Sequence, residues 1–420
     1  MLTSTGHSTD LRHQTSVRDA MMMQLTDTAK MSTFARSKTI SMKRIILLLL
    51  AGCCIAFFGN GGVAYAQQEI PLPDVLVRAD GTPVRTAAEW ADGRRAEVLE
   101  MFSREMYGHV PGRPEGLHFE ELSSEEAFDG LAVRKTVRIW LDAPGEHYFD
   151  VLIHLPVQAN GPVPMFAGLN FKGNDATLDE RASSRWPYEL ALKAGWGVAT
   201  AWRDSIEPDV AQGAEGGVRS WYNAGGDWGA ISVWAWGLSR ILDYLEADPA
   251  ADASRVVVIG HSRLGKTALW AAANDERFAG VVSNDSGCCG AAISRRKVGE
   301  TFQAIDTAFP HWFTRAFDQY KGREEDFPGD QHWLLALSAP RPLYVASATE
   351  DTWADPVGEW LSAREAGAVY ALFGLGGIGE CYPAPDTPVV SAAVAYHVRT
   401  GAHDITAWDW AQYLAFFGKN

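Results

Sequence analysis

The sequence predicts an α/β protein in three layers, with a mostly parallel central sheet between two layers of helices. Two patterns support this fold class. Short segments that are apolar at almost every position alternate with segments of helical period, which is typical of parallel strands buried on both faces. Before them, residues 133–141 and 148–156 alternate apolar and polar side chains around a short turn, which predicts an antiparallel hairpin. The buried strands are expected at residues 163–171, 195–202, 255–260, 278–285 and 341–348, and the longest helix at 232–249.

The first 66 residues differ from the rest and are expected to be an upstream extension followed by a secretory signal peptide. The basic residues Lys43 and Arg44 precede a short apolar run, and residues 64–66 read Ala-Tyr-Ala, so cleavage after Ala66 is expected. Cys53 also ends a lipoprotein box, which leaves lipid anchoring there as an alternative. Both predict export, to the periplasm or the medium. Residues 67–420 contain no repeat or linker and are predicted to form one domain.

Charge and composition argue against several classes of partner. The 420 residues carry a formal net charge of −15, and residues 1–66 hold seven basic and three acidic side chains, so the remainder has a net charge of −19. This acidity argues against binding of nucleic acid or of an anionic membrane surface. The apolar run of the leader is too short and too rich in glycine for an integral membrane span. We expect a monomer that needs no cofactor. A metal site is not expected either, because no metal-ligand motif such as H-E-x-x-H occurs.

Ser262 is the candidate nucleophile. It lies two residues beyond Gly260, where the strand predicted at 255–260 ends and a helix-forming stretch begins. The α/β-hydrolase fold holds its catalytic serine at such a turn, and the hairpin followed by alternating strands and helices matches the sheet of that fold. The usual pattern is G-x-S-x-G, but Leu264 stands at the second glycine position, and the glycine follows at 265. A serine that only caps a helix is the alternative.

His403 is the candidate base, because it lies late in the chain in a loop between an apolar segment and the last amphipathic helix. The α/β-hydrolase fold has its catalytic histidine there. Two positions compete for the carboxylate that orients the imidazole. Glu350, Asp351 and Asp355 follow the strand at 341–348, the usual position of the acid in this fold, whereas Asp285 ends the strand after the nucleophile helix. The spacing of the residues does not decide between them.

The pattern G-x-S-R-x-G-K at residues 260–266 resembles carbohydrate esterase family 15, the glucuronoyl esterases, and in particular their bacterial branch. That family has arginine directly after the serine, which explains the displaced glycine and favours Ser262 as the nucleophile. The resemblance covers most of the chain after the leader. It extends through residues 267–296 and includes GLNFKGN (168–174), DQHWLLALSAPRPLY (330–344), EDTWADP (350–356) and GAHDITAWDW (401–410).

The resemblance implies a serine esterase that cleaves the ester between (4-O-methyl-)glucuronate of glucuronoxylan and an alcohol of lignin. Its partner would be a glucuronate ester of xylan or of a lignin–carbohydrate complex. Ser262 is then the nucleophile and His403 the base, and Arg263 stabilises the oxyanion with its backbone N–H and its guanidinium. The loop Asn170–Lys172 is expected to add to the site. The usual acid of the family is a glutamate at the position of Asp285, which favours Asp285 over Asp351 here.

The resemblance also implies a sugar-binding group made of Lys266, Glu300 and Trp353. Lys266 lies one helical turn after Ser262, so its ammonium is expected to reach the ring hydroxyls. Fungal members have a disulfide between the positions of His261 and Asp404, and we expect a hydrogen-bonded or ionic pair in its place.

Two other function classes remain open from the sequence. Another carbohydrate-active serine esterase, of the acetyl-xylan or feruloyl type, would share the triad but would not need Lys266 and Glu300. A non-catalytic carbohydrate-binding protein would keep the aromatic residues and tolerate loss of the triad. The complete set of serine, histidine and acid argues against the second class.

Overall fold

The computed structural model describes residues 70–178, 185–211, 216–222 and 226–419, which belong to one compact unit. The expected signal peptide, its cleavage site after Ala66 and the lipoprotein box at Cys53 lie outside the described residues. Within the described ranges, every helix falls short of the length and apolar character that a membrane span requires.

The centre of the molecule is one sheet, to which the described part of the chain contributes ten strands. They are β1 (His118–Ala127), β2 (Ala132–Trp140), β3 (Tyr148–Pro156), β4 (Val163–Asn170), β5 (Gly197–Trp202), β6 (Ala251–His261), β7 (Gly280–Asn284), β8 (Leu343–Ala348), β9 (Val389–Val390) and β10 (Val394–Arg399). Their order across the sheet is β1-β2-β3-β5-β4-β6-β7-β8-β10-β9. Strands β5, β4, β6, β7, β8 and β10 run parallel, and antiparallel pairs close both edges. The predicted hairpin is β2 and β3.

Helices cover both faces of the sheet, as the apolar character of its parallel strands requires. The α-helices of the described ranges are α1 (Ala87–Glu89), α2 (Arg95–Phe102), α3 (Tyr188–Lys193), α4 (Ala230–Leu245), α5 (Arg263–Asn274), α6 (Phe302–Ala308), α7 (Gln331–Ala336), α8 (Pro356–Leu372) and α9 (Ala407–Phe417). Helix α4 is buried along its whole length and packs against α5 and the sheet. On the other face, α3 and α9 share a second apolar cluster with Phe166 and Tyr344. The expected three layers are present.

The parallel strands place the candidate residues at one edge of the sheet. Ser262 follows β6, Asp285 follows β7, Asp351 follows β8 by three residues, and His403 follows β10 by four. The carboxyl ends of parallel strands meet at the same edge, which is where ligands bind in open α/β sheets.

Candidate active site

Ser262 occupies a strained turn between strand β6 and helix α5. Its φ of 58° and ψ of −129° lie in a region that side-chain-bearing residues rarely adopt. Glycine allows the chain to pass close to its neighbours on both sides of this turn. A Cβ on Gly260 would lie 1.8 Å from the carbonyl oxygen of Leu264, and a Cβ on Gly265 would lie 3.0 Å from Cβ of Ser286. The Ser262 hydroxyl makes no capping hydrogen bond to α5, so the alternative of a cap serine is not supported.

The backbone around Ser262 leaves one donor free. The N–H of Ser262 donates to the carbonyl of Asn284 at 2.9 Å, and its carbonyl accepts the N–H of Gly265 at 2.8 Å. The N–H of Arg263, at the start of α5, has no hydrogen-bond partner within the described ranges. Free N–H groups at a helix N-terminus favour negative charge. The turn therefore offers the donor that an oxyanion next to Ser262 requires.

His403 contacts Asp351. Its Nδ1 lies 2.5 Å from Oδ2 of Asp351, a buried carboxylate in the turn after β8. The ring of His403 packs with its centroid 4.5 Å from that of His261, the residue before Ser262. A carboxylate on Nδ1 fixes the tautomer in which Nε2 is free to accept a proton. The sequence-based preference for Asp285 as the partner of the imidazole is therefore wrong: Asp351 makes this hydrogen bond.

Asp285 belongs to the same cluster, but its carboxyl group has fewer hydrogen-bond partners and a raised pKa. Its side chain is 2% exposed, its Oδ1 has no hydrogen-bond partner, and its Oδ2 accepts the N–H of Asp404 at 3.3 Å. Burial raises the pKa of its carboxyl well above the usual range, and the nearby carboxylates of Glu359 and Asp351 raise it further. Burial without a donor for each oxygen disfavours the charged form of a carboxyl group. Aspartate is one methylene shorter than the glutamate expected here, and its carboxyl meets backbone rather than the imidazole.

Glu359 is a third carboxyl of this cluster, and sequence analysis missed it. It lies on α8 and is fully buried. It accepts hydrogen bonds from the hydroxyl of Ser347 at 2.6 Å, the N–H of Gly287 at 2.9 Å and the hydroxyl of Ser286 at 3.2 Å. Burial nevertheless raises its pKa to about 8. An acidic residue within an otherwise apolar helical stretch was the available signal.

Carboxylate and imidazole atoms approach each other closely in two groups of the described residues. Asp285, Asp351 and His403 form one group, and Asp142, Glu146 and His147 form the other, with atoms of metal-ligand type within 4.8 Å of one another in each. In both groups a carboxylate already bonds the histidine Nδ1, at 2.5 Å in the first and 2.6 Å in the second. The first group has the arrangement of an acid–base site.

Lys266, Glu300 and Trp353 come together, as the resemblance implies. Lys266 is 4% exposed, its ammonium donates to the carbonyl of Ser286, and it lies 3.9 Å from Oε2 of Glu300. The N–H of Glu300 donates to the carbonyl of Trp353 at 2.9 Å. Trp353 is 58% exposed, so it is a surface aromatic and not a core residue. The three residues combine a cation, a carboxylate and an exposed ring.

The side chains of Arg263 and Asn170 are both held by neighbours. The guanidinium of Arg263 donates from Nη1 to Oδ2 of Asp209 at 2.5 Å, a contact that sequence analysis did not predict. Asn170 donates to Oδ1 of Asn174 at 2.9 Å and accepts the N–H of Gly173 at 2.9 Å. The side chain of Asn170 thus fixes its own loop.

The expected pair of His261 and Asp404 is not formed. Nδ1 of His261 bonds Oδ1 of Asn284 at 2.6 Å, whereas Oδ1 of Asp404 accepts from Nε of Arg185 at 2.7 Å. The serine and histidine loops meet instead through the rings of His261 and His403. The prediction failed because each polar side chain finds a closer partner on another element.

A family model described as glucuronyl esterase of fungi matches residues 144–374, more than half of the chain. The chain belongs to the glucuronoyl esterase family. The esterase is 43% identical over 398 residues to a carbohydrate esterase of an unknown prokaryotic organism, covering 84% of this chain and 91% of the relative. It is 28% identical over 350 residues to 4-O-methyl-glucuronoyl methylesterase 1 of Phanerochaete chrysosporium, covering 76% and 68%.

Solved structures agree with this assignment. A glucuronoyl esterase from Solibacter usitatus matches the fold with a TM-score of 0.79 at 44% identity, covering 83% of this chain and 97% of that one. A structure described as a promiscuous esterase of carbohydrate esterase family 15, from a marine bacterial metagenome, matches with a TM-score of 0.77 at 42% identity, covering 86% and 99%. The predicted α/β-hydrolase class and the resemblance to bacterial members are confirmed.

Proposed function

We propose that this esterase hydrolyses the ester between (4-O-methyl-)glucuronate of glucuronoxylan and alcohols of lignin, with Ser262 as nucleophile. The observation that carries the proposal is the strained Ser262 next to a histidine loop whose imidazole is bonded to a buried carboxylate. The names of the relatives support the glucuronate ester as substrate. The pair of the buried Lys266 and the partly exposed Glu300 supports a polar, sugar-binding pocket beside the nucleophile.

In the acylation step, Oγ of Ser262 attacks the ester carbonyl carbon and its proton passes to Nε2 of His403. The carbonyl oxygen becomes an oxyanion, which accepts the free N–H of Arg263 and is stabilised by the Arg263 guanidinium. The carbon–oxygen bond to the alcohol then breaks, and the alcohol leaves with the proton from His403. The sugar acyl group remains on Ser262 as an ester.

In the deacylation step, His403 removes a proton from water, and the resulting hydroxide attacks the acyl carbon. In the second tetrahedral intermediate, the bond between the acyl carbon and Oγ of Ser262 breaks, and His403 gives its proton to Oγ. The glucuronic acid product leaves as glucuronate. Asp351 holds Nδ1–H throughout and stabilises the imidazolium of both steps. Asp285 supports the histidine loop through its contact with the N–H of Asp404.

Sugar recognition rests on Lys266, Glu300 and Trp353. The ammonium of Lys266 donates to ring hydroxyls, the carboxylate of Glu300 accepts from them, and the exposed ring of Trp353 packs against a sugar face. A site built to bond one hydroxyl leaves buried groups without partners when that hydroxyl is inverted. Glucuronate esters are therefore preferred over galacturonate esters.

The test is a comparison of kcat/KM on methyl glucuronate, methyl galacturonate and p-nitrophenyl acetate. We expect kcat/KM to be higher on methyl glucuronate than on methyl galacturonate. Ser262→Ala should abolish hydrolysis of all three substrates. Equal kcat/KM on both sugar esters contradicts the sugar specificity. Retention of turnover by Ser262→Ala contradicts the serine mechanism.

A second candidate is an esterase of broad specificity that also accepts acetyl-xylan or feruloyl esters. The description of a 42% identical structure as a promiscuous esterase favours it. Acetylated xylan and a feruloyl ester, added to the same comparison, separate the two. Turnover of these esters within about tenfold of the glucuronate ester, a difference of about 1.4 kcal/mol in transition-state binding, supports broad specificity.

Export is part of the proposed function, because the polymers named above lie outside the cell. The leader supports cleavage after Ala66, and the alternative is lipid attachment at Cys53. Mass spectrometry of the mature N-terminus distinguishes Gln67 from a lipid-modified cysteine. An uncleaved N-terminus contradicts both.

A further inference from the structure

Asp209 is the centre of a polar cluster that includes Arg263, the residue after Ser262. It lies in the loop that follows β5, and its side chain is 6% exposed. Four donors from three separate segments converge on its two oxygens. They are Nη1 of Arg203, Nη1 of Arg263 at 2.5 Å, Nε2 of His311 at 2.8 Å and Nε1 of Trp312 at 2.7 Å.

The donors keep this carboxylate ionised in spite of its burial. Burial alone raises the pKa of Asp209, but the hydrogen bonds from His311 and Trp312 and the charge of Arg203 outweigh it, so the pKa lies well below the usual range. Hydrogen bonds to an anion from charged donors are about twice as strong as neutral ones. Asp209 is therefore a fixed negative charge with a fixed position.

Arg263 is the one member of this cluster adjacent to the nucleophile in the chain. Its guanidinium carbon lies 4.6 Å from the ring centroid of Trp312 and 5.0 Å from that of Phe309. These two rings stack on each other at 4.0 Å. The guanidinium is thus held at one edge by Asp209 and against one flank by a rigid aromatic pair.

The remaining donors of this guanidinium are unused. Nε of Arg263 is buried without a hydrogen-bond partner, and Nη2 makes no hydrogen bond to any residue of the described ranges. A buried unpaired N–H carries the full cost of lost hydration until a partner arrives. Fixed donors of this kind stabilise charge that develops only in the transition state.

We propose that Asp209 is a positioning residue for catalysis, which orients the Arg263 guanidinium toward the oxyanion formed at Ser262. The inference rests on the proposed function, in which Arg263 stabilises that oxyanion. Asp209 does not touch the substrate. It acts by removing the rotational freedom of a long, flexible side chain before the reaction begins.

Asp209 has two opposing effects on the stabilisation of the oxyanion by Arg263. Its negative charge weakens the attraction of Arg263 for the oxyanion, whereas its hydrogen bond holds Arg263 in place. The charge is shared with Arg203 as well as Arg263, which reduces the first effect. Misplacement of a reacting group by about 1 Å can cost about 10²-fold in rate. Orientation therefore outweighs charge.

The test is a double-mutant cycle on kcat with Asp209→Asn and Arg263→Ala. Asparagine has the shape of aspartate but lacks the charge that holds Arg263. We expect Asp209→Asn to lower kcat about 10- to 100-fold with little change in KM, since only the transition state uses the guanidinium. In the Arg263→Ala background, the same change should cost less than about twofold, because residues that act through one another are not additive.

Glu207→Gln is the matched control. Glu207 lies in the same loop, is fully buried, and holds Arg219 at 2.6 Å, so its loss disturbs the loop without releasing Arg263. Thermal unfolding of each variant measures the structural cost. We expect Glu207→Gln to lower Tm while kcat stays within about threefold of wild type. Asp209→Glu keeps a carboxylate at this position, so its kcat should lie between that of Asp209→Asn and that of wild type.

Three results overturn the inference: an equal loss of kcat in both backgrounds, a loss matched by Glu207→Gln, or an unchanged or increased kcat in Asp209→Asn. The cycle can be run on any ester the protein hydrolyses, including p-nitrophenyl acetate, because every ester forms an oxyanion. Failure of the proposed sugar specificity therefore shows in the substrate comparison and leaves the cycle readable. Failure of the serine mechanism shows in Ser262→Ala.

Discussion

The contacts of His403 and those of Arg263, called the histidine side and the arginine side of the site, contain different charged groups. On the histidine side, the imidazole bonds the buried carboxylate of Asp351, and the buried carboxyls of Asp285 and Glu359 belong to the same cluster. On the arginine side, two guanidiniums, those of Arg203 and Arg263, share the carboxylate of Asp209. In the proposed mechanism an imidazolium and an oxyanion form together in each transition state, and Asp351 would stabilise the first and Arg263 the second.

The comparison also shows how each side avoids excess charge. Burial raises the pKa of Asp285 well above its usual range and that of Glu359 to about 8, whereas Asp351 is the carboxyl group that bonds the imidazole. On the opposite side, hydrogen bonds keep Asp209 ionised. Desolvation dominates where donors are few, and donors dominate where several converge.

Removal of the Ser262 hydroxyl or of the His403 imidazole should have the largest effect on kcat. Ser262→Ala and His403→Ala should each lower kcat by several orders of magnitude, because members of a triad act as one unit. The measurement is turnover of methyl glucuronate. Ser254→Ala, at an exposed position earlier on β6, is the matched control and should retain full turnover. More than about a tenth of wild-type kcat in Ser262→Ala would exclude the acyl-enzyme route.

Loss of the arginine side should have the next largest effect. Arg263→Ala keeps the backbone N–H but removes the guanidinium, and we expect kcat to fall about 10²-fold on sugar and acetate esters alike. Arg277→Ala, which breaks a surface ion-pair cluster around Asp275 and Glu246, is the control. A change confined to KM would mean that Arg263 binds the ground state and not the oxyanion.

A smaller effect is expected from Lys266, the lysine proposed to bind the sugar. Lys266→Ala should lower kcat/KM for methyl glucuronate about 10- to 100-fold, the worth of hydrogen bonds to a charged group, and should spare p-nitrophenyl acetate. The preference for glucuronate over galacturonate should fall with it. Lys193→Ala, at an exposed lysine paired with Glu189, controls for loss of charge. A proportional loss on acetate and glucuronate would show that Lys266 serves the chemistry of all esters.

The smallest effect concerns stability rather than turnover. The pKa of Glu359 is raised from 4.5 to about 8, so the stability gained from its protonation is fully present below 4.5 and is lost as pH rises through 8. Glu359→Gln does not titrate and should therefore become more stable than wild type as pH increases, by the order of a few kcal/mol at pH 9. Thermal unfolding at pH 5, 7 and 9 measures the difference. A Tm difference independent of pH would mean that Glu359 is ionised throughout.

The central strands and the nucleophile turn could be predicted because their signals are local. Continuous apolar runs specify buried strands, and the helix expected at 232–249 is found at Ala230–Leu245. Strand β1 was not predicted, since its residues are exposed on both faces and show no alternation. Its place in the sheet comes from backbone pairing with β2, which the amino-acid types do not reveal.

The polar contacts of the site were harder to predict, because they depend on loop paths. Asp285 and Asp351 both follow strands at the right edge, and the sequence could not determine which carboxyl reaches the imidazole. Asp209 and Glu359 had no motif, although Asp209 bonds Arg263 and Glu359 bonds Ser286, the residue after Asp285. Donors and acceptors far apart in sequence meet only when the fold is complete, so residue types predict membership of a site better than the bonds within it.

The most direct test of this account compares Asp351→Asn with Asp285→Asn by kcat on methyl glucuronate. Asn at position 351 can hold the wrong imidazole tautomer, so we expect a loss of about 10⁴-fold. Burial raises the pKa of Asp285, and its Oδ2 only accepts the N–H of Asp404, a contact that asparagine can keep, so a loss of less than about tenfold is expected. The opposite ranking, with Asp285→Asn nearly inactive and Asp351→Asn close to wild type, would contradict the assignment of Asp351 as the carboxylate that orients His403.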